Sequence, residues 1–168
     1  FYKFGTRTQL IDEKTMPFGK VIPLLREKFE EDLSSIFKEN KFKEAMCFFE
    51  YWGEDSFAGN HNFEKPMSLT LIDVAPYKQG IMPPDQFIKL FGHLDAAEVL
   101  YEGYASVELF DMIKQSTLPG MHHEGVVCKG ANDKKTKMPI MFKIKSQAWI
   151  DKLKGFCGED NNLFMKLL

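Results

Sequence analysis

Two lysines near the C-terminal end of the chain are the residues best suited to chemistry. Lys143 and Lys145 belong to the segment Met-Phe-Lys-Ile-Lys-Ser, residues 141–146, whose composition predicts a β-strand. Side chains two residues apart in a strand point to the same face, so the pattern predicts two neighbouring ammonium groups. Two adjacent ammonium groups repel each other, and an anion between them would offset this repulsion. We therefore expect this strand to bind a phosphate.

Carboxylates accompany these lysines. Residues 123–129, His-Glu-Gly-Val-Val-Cys-Lys, predict a partner strand that carries Glu124 and forms a hairpin around the Lys-rich turn at 131–137. Glu50 and Asp73 interrupt two apolar strand patterns earlier in the chain. An ion pair or an edge position would explain each carboxylate singly, since a buried unpaired one is costly. Together, carboxylates and lysines suit metal-dependent phosphoryl or nucleotidyl transfer, which needs oxygen ligands for Mg²⁺ and fixed cations for phosphates.

The composition limits the class of protein. The chain has 168 residues, 44% of them hydrophobic, and no apolar run approaches the roughly 20 residues of a membrane span. Its three cysteines form no Cys-x-x-Cys pair, which argues against a zinc knuckle or a disulfide framework. A net charge of -2 excludes nucleic-acid binding through bulk positive charge. We therefore expect one intracellular, cytoplasmic domain with reduced thiols, no membrane association and only local contacts with nucleic acid.

A mixed α+β pattern of elements must position these groups. Apolar spacing and capping signals predict helices over 21–41, 85–91, 104–115 and 147–154. Besides the hairpin, alternation predicts strands over 1–8, 45–53 and 68–74. Both faces of 45–53 are apolar, so we expect it to be a central strand. Asp85 is expected to cap its helix, and the spacing places Val107, Phe110 and Ile113 on one helical face.

Several of these segments resemble the covalent nucleotidyltransferases, the superfamily of ATP-dependent DNA ligases, RNA ligases and mRNA capping enzymes. The strongest likeness is to the last two signature motifs, in residues 124–129 and 142–146. The earlier motifs are similar in the family's order, at Gly-Thr-Arg-Thr (5–8), Phe-Glu-Tyr with Gly-Glu (49–51, 53–54) and Leu-Ile-Asp-Val (71–74). The sequences of these motifs, Phe-Lys-Ile-Lys-Ser and Phe-Glu-Tyr, are most similar to those of phage-type RNA ligases. The resemblance extends from Phe1 to about Lys152.

The resemblance implies an α+β nucleotidyltransferase domain of the DNA ligase and capping enzyme type, with antiparallel sheets flanked by helices. It also implies an ATP-dependent RNA ligase. In such an enzyme a lysine attacks the α-phosphate of ATP, expels pyrophosphate and holds AMP. The AMP then passes to the 5′-phosphate of an RNA end, where a 3′-hydroxyl displaces it.

Roles for individual residues follow from the same resemblance. Lys143 and Lys145 would neutralise the α-phosphate in the transition state, and Glu124 would help to hold the metal, Mg²⁺ or Mn²⁺. The remaining nucleotide-binding residues would come from the first half of the chain: Glu50 at the ribose hydroxyls, Ile72 against the adenine, Asp73 in the same strand, and Arg7 at phosphate or the RNA end.

The family's nucleophile motif is missing from this sequence. No Lys-x-Asp-Gly or Lys-x-Asn-Gly tetrapeptide occurs, and the chain begins at Phe1 within a strand pattern. We therefore expect residues 1–168 to be a single nucleotidyltransferase domain that lacks its N-terminal part and carries no OB-fold. A DNA ligase or mRNA guanylyltransferase on the same fold is one alternative. A nucleotide- or RNA-binding module that forms no covalent intermediate is the other.

Overall fold

The structure, a computed structural model, describes residues 2–136 and 138–168. Its strands are β1 (Phe4–Gly5), β2 (Leu10–Ile11), β3 (Ala45–Gly53), β4 (Met67–Pro76), β5 (Gly125–Asn132) and β6 (Pro139–Lys145). Its helices are α1 (Val21–Glu39), α2 (Pro84–Phe91), α3 (Val107–Lys114), α4 (Gln147–Cys157) and α5 (Asn161–Leu167). The strands form three antiparallel pairs, β1–β2, β3–β4 and β5–β6. This arrangement confirms the α+β class.

The chain divides into two compact units. One contains the residues up to 56 together with 61–97, and the other contains 57–60 and 98–168. Within the described ranges, no helix is both long enough and apolar enough to cross a membrane. The three cysteines are free thiols; Cys157 is buried, and Cys47 and Cys128 are half-buried.

The core of the first unit lies between α1 and the β3–β4 sheet. Helical spacing brings Phe29, Leu33 and Ile36 of α1 onto one buried stripe. This stripe packs in one cluster with Leu69 and Leu71 of β4, and the ring of Phe29 meets that of Phe49 edge-on at 5.0 Å between centroids. Aromatic and branched side chains therefore hold the sheet by one face.

The prediction that β3 is a central strand is wrong. Among the described residues β3 pairs only with β4, from Ala45 opposite Pro76 to Gly53 opposite Met67. Cys47, Phe49 and Tyr51 contribute to the core, whereas Met46 and Phe48 on the other face are exposed. The apolar residues on the second face thus reflect an exposed surface of the sheet.

The second unit contains two small cores. In the first, Leu109 and Ile113 of α3 pack with Ile144 of β6. In the second, Trp149, Leu153 and Cys157 line up along α4 and pack against α5, a helix that the sequence did not predict. The first core holds the β5–β6 hairpin against α3, and the second holds α4 against α5.

Two local predictions about helices need correction. Helix α3 begins at Val107, where the hydroxyl of Ser106 accepts a hydrogen bond from the Leu109 N–H at 3.2 Å. Its buried face contains Leu109 and Ile113, while Val107 and Phe110 are exposed, because packing against β6 selects a stripe rotated from the predicted one. Asp85 does not cap α2, whose N-cap is Pro83; it lies in the first turn, where its charge favours the helix dipole.

Candidate functional site

The β5–β6 hairpin presents the two predicted lysines on one face. Its register places Gly125 opposite Lys145 and Val127 opposite Lys143. Ile144, between the lysines, is buried in the core under α3. Lys143 and Lys145 therefore share the opposite face, as the alternation predicts. We call this face, which Gly125, Val127, Lys129, Met141, Lys143 and Lys145 line, the lysine face.

Glu124 lies beside this face, in the turn immediately before β5. Its Oε1 forms an ion pair with Nζ of Lys145. The lysine side chain is 14% exposed and the glutamate side chain 56% exposed. The same Nζ lies 4.0 Å from the ring centroid of Trp149 on α4, a cation–π contact. A carboxylate and an aromatic ring thus fix the ammonium group of Lys145.

Gly125 permits this arrangement. Its backbone φ is 134°, a conformation that residues with a Cβ rarely adopt. A Cβ built there would lie 2.1 Å from the carbonyl oxygen of Ile144 on the paired strand. The turn that carries Glu124 can therefore approach the lysine strand this closely only with glycine at position 125.

A buried serine ties the turn to the lysine strand and to α4. The N–H of Ser146 donates to the Glu124 carbonyl at 3.0 Å, and its hydroxyl donates to the carbonyl of His123. The same hydroxyl accepts a hydrogen bond from the Trp149 N–H at 3.1 Å and so caps α4. Backbone and side-chain bonds from one residue thus hold the positions of Glu124 and Trp149.

In the first unit, Glu50 and Asp73 share the outer face of the β3–β4 sheet. Glu50 is opposite Thr70, and Asp73 is opposite Phe48. Glu50 is exposed, which removes the cost of burying its charge, while Asp73 is only 8% exposed. Ile72 falls at the irregularity where the register shifts between Phe48 and Phe49.

The outer face of β3–β4 combines these carboxylates with aromatic and apolar side chains. Trp52 lies two residues beyond Glu50 on the same face, and its indole Nε1 donates to Oγ1 of Thr70 at 3.1 Å. Phe48 and Met46 continue the face, and Met46 is 61% exposed. A ring and a carboxylate side by side can bind a base and a ribose hydroxyl, respectively.

Arg7 belongs neither to the β3–β4 sheet nor to the β5–β6 hairpin. It occupies the exposed turn between β1 and β2, which pair through Phe4 with Ile11 and Gly5 with Leu10. The structure thus brings Glu50, Ile72 and Asp73 onto one sheet of the first unit.

Glu124, Lys143 and Lys145 likewise lie on one hairpin of the second unit. Among the described residues, no three His, Cys, Asp or Glu side chains form a group that could hold a metal ion. Mg²⁺ commonly binds through one or two carboxylates together with substrate phosphates. The exposed carboxylate of Glu124, next to two lysines whose charge suits a phosphate, fits that mode of binding.

The sequence prediction omitted Trp149 and Ser146, which position the site. The spacing of four residues between Lys145 and Trp149 could have indicated their contact. Where a strand ends in serine and continues directly into a helix, an aromatic residue in the first helical turn lies back toward the last residue of the strand.

No family model, curated protein or solved structure matches this chain.

Proposed function

We propose that this chain is the nucleotidyltransferase domain of an ATP-dependent RNA ligase, with the fold type of DNA ligases and capping enzymes. One observation carries the proposal: Glu124, Lys143 and Lys145 lie together on one hairpin, in the two segments that most resemble the family's last two motifs. ATP and RNA ends with a 5′-phosphate and a 3′-hydroxyl are the proposed substrates.

The lysine face suits a phosphorus centre under nucleophilic attack. In adenylyl transfer a lysine amine forms a bond to the α-phosphorus, the bond to the bridging oxygen breaks, pyrophosphate leaves with the electron pair, and the amine loses a proton. Negative charge grows on the α-phosphate oxygens in the transition state. Lys143 is exposed and can reach a bound phosphate, whereas Lys145 is held in place by Glu124 and Trp149 and can supply fixed positive charge.

Glu124 is the residue that would hold Mg²⁺ or Mn²⁺. When bound, such an ion polarises a phosphate oxygen as a Lewis acid. The protein's own contribution is to present the carboxylate at the rim of the lysine face, through Gly125 and the Ser146 hydrogen bond to the backbone of Glu124.

The first unit would bind the adenosine. Its outer sheet face offers Glu50 for the ribose hydroxyls and Ile72 as an apolar contact for adenine, with Asp73 in the same strand. Arg7, on an exposed turn, would contact phosphate or the RNA end. Charge-assisted hydrogen bonds that a carboxylate accepts from hydroxyls are short and comparatively strong, which favours Glu50 for this role.

The last step of ligation gives the sharpest test, because it requires no nucleophilic lysine. In that step the 3′-hydroxyl oxygen bonds to the phosphorus of a 5′-adenylated RNA, the bond to AMP breaks, and the hydroxyl proton is lost to solvent. We expect this chain, with Mg²⁺, to join a 5′-adenylated RNA to an acceptor strand and release AMP. Lys143→Ala should slow joining about 10²- to 10³-fold, and Lys154→Ala on α4 should preserve it.

Other substrates separate the alternatives. Joining of adenylated DNA but not RNA would indicate a DNA ligase, and transfer of GMP from GTP would indicate a guanylyltransferase. Tight binding of adenylated RNA without joining would identify a non-catalytic binding module and contradict the proposal. A gain in intact mass of one AMP upon incubation of the protein with Mg²⁺ and ATP would test the first step separately.

A further inference from the structure

Three lysines form a line across the lysine face. Lys145 and Lys143 are two residues apart in β6, which separates their backbones by about 7 Å. Lys129 is paired with Met141 and is therefore the diagonal neighbour of Lys143, with about 7 to 8 Å between such positions. The line thus runs from the Glu124 end of the hairpin toward its turn, in steps of similar length.

Exposed apolar side chains flank this line. Val127, opposite Lys143, is 47% exposed, and Met141, opposite Lys129, is 40% exposed. Alternating ammonium groups and apolar side chains suit a polymer whose phosphates are regularly spaced and whose bases have apolar faces. A membrane surface would present charge in two dimensions and gives no reason for a line.

The turn beyond the two strands continues the positive charge. Lys134 and Lys135 are both exposed there. Asp133 organises this turn, because its Oδ1 accepts hydrogen bonds from the N–H groups of Lys135 at 3.0 Å and Thr136 at 2.7 Å. The hydroxyl of Thr136 donates a further hydrogen bond to Oδ1, and together these bonds hold the pKa of Asp133 below its usual value.

We infer that the lysine face and the turn at its end bind the RNA strand that carries the 5′-phosphate, with that phosphate at Lys143 and Lys145 and the following phosphates at Lys129, Lys134 and Lys135. This inference rests on the proposed function, and it adds the direction in which the donor strand leaves the site. The net charge of -2 for the whole chain makes such a local positive surface the available route for a polyanion.

Binding of a 5′-phosphorylated single-stranded RNA at several salt concentrations tests the inference. Each phosphate contact on a single strand contributes about 0.7 to the slope of log affinity against log salt. We expect Lys134→Ala with Lys135→Ala to reduce the magnitude of that slope by about 1.4 and to weaken binding at low salt roughly tenfold. The control changes two exposed lysines of the helices, Lys154→Ala with Lys166→Ala, and should leave slope and affinity unchanged.

Donor length provides the second readout. On the native protein, a donor of about six nucleotides should bind more tightly than a single nucleotide, because it reaches the turn. The Lys134 and Lys135 double variant, and Lys129→Ala to a smaller degree, should remove most of this advantage. Equal effects of the control variant, no change with donor length, or equally strong competition by an acidic peptide would each overturn the inference.

The same variants separate this inference from the proposed function. If joining of adenylated RNA proceeds while the double variant binds RNA with an unchanged slope, the ligase proposal stands and the donor path is wrong. If joining fails and the slope still falls, the surface binds RNA and the ligase proposal is wrong.

Discussion

The β3–β4 sheet and the β5–β6 hairpin are both antiparallel pairs with one face on a core, yet their outer faces differ in chemistry. The outer face of β3–β4 carries Glu50 and Asp73 among exposed apolar side chains. The lysine face of β5–β6 carries cations, with one carboxylate at its rim. The first face therefore suits hydroxyl and apolar groups, and the second suits anions.

The two pairs also differ in how their charged groups are held. Glu50 is an exposed residue on a sheet whose opposite face has a large core, so the sheet itself sets its position. Glu124 lies in a turn, where the conformation of Gly125 and hydrogen bonds from Ser146 determine its place. The comparison teaches that a carboxylate can be fixed by a large core or, beside a small one, by backbone geometry.

The largest expected effect is on chemistry at the lysine face. Lys143→Ala removes one of the two cations proposed to lie at the phosphate, and we expect the rate of joining to fall about 10²- to 10³-fold. The side chain is exposed, so thermal stability should change little. Lys143→Arg, which keeps the charge, should recover part of the rate. An undiminished rate for Lys143→Ala in single-turnover assays would remove this residue from the site.

The next largest expected effect is a loss of stability when the backbone conformation at Gly125 is disturbed. Gly125→Ala places a Cβ against the Ile144 carbonyl, and we expect the second unit to lose about 2 to 3 kcal/mol of stability. Gly155→Ala is the matched control, because nothing lies within 4 Å of a Cβ at that helical position, and it should be neutral or slightly stabilising. Chemical denaturation, followed by hydrogen exchange in β5 and β6, would measure both. Equal stabilities of the two variants would refute the assigned role of Gly125.

A smaller effect is expected on the outer face of β3–β4. Glu50→Ala should weaken binding of AMP about tenfold, which corresponds to the loss of a charge-assisted hydrogen bond. Glu44→Ala, at an exposed position just before β3, is the control and should bind AMP normally. Titration calorimetry on both variants would decide. If the two bind equally, the sugar does not contact Glu50.

The smallest expected effect is a change of stability with pH that comes from Cys47, on the buried face of β3. Burial raises the pKa of the Cys47 thiol from 9.0 to about 11, so the folded state disfavours the thiolate. The neutral thiol's contribution to stability is complete below pH 9.0 and is lost as the pH rises toward 11. We expect the free energy of unfolding to fall by about 1 kcal/mol near pH 10 from this group.

Cys47→Ala isolates this contribution. Burial also raises the pKa of Tyr51 in the same strand, and that of Cys128 in the second unit, so part of the alkaline loss should persist in the variant. Urea denaturation between neutral pH and about pH 10 should show a shallower decline for Cys47→Ala than for the native chain. Parallel declines would show that Cys47 does not titrate in this range.

Periodicity predicted most elements of the fold, because one face of each is buried. The bounds of β3 agree with the prediction, and α1 ends at Glu39, two residues before the expected position. The failures are informative. An apolar pattern cannot distinguish a strand covered on both faces from one with an exposed apolar face, and the predicted stripe of α3 was wrong because packing selected another.

The candidate site was predictable where it depends on alternation within one strand. Lys143 and Lys145 are an example, since a period of two determines a shared face. The contact between Lys145 and Trp149 had only their four-residue spacing as a signal, because the sequence does not give the direction in which α4 follows β6. The register irregularity at Ile72 also follows from pairing with β3, which is not encoded in residues 71–74 alone.

The fully buried hydroxyl of Ser146 has a consequence for protein engineering. Because it contacts the carbonyl of His123 and the N–H of Trp149, one oxygen atom joins a turn, a strand end and a helix start. A designer who moves the Lys-x-Lys strand into another scaffold would have to move all three pieces as a single cassette. Threonine at this position would add a methyl group to a fully buried side chain. Alanine would remove the hydrogen bonds through which the hydroxyl links the turn to the helix.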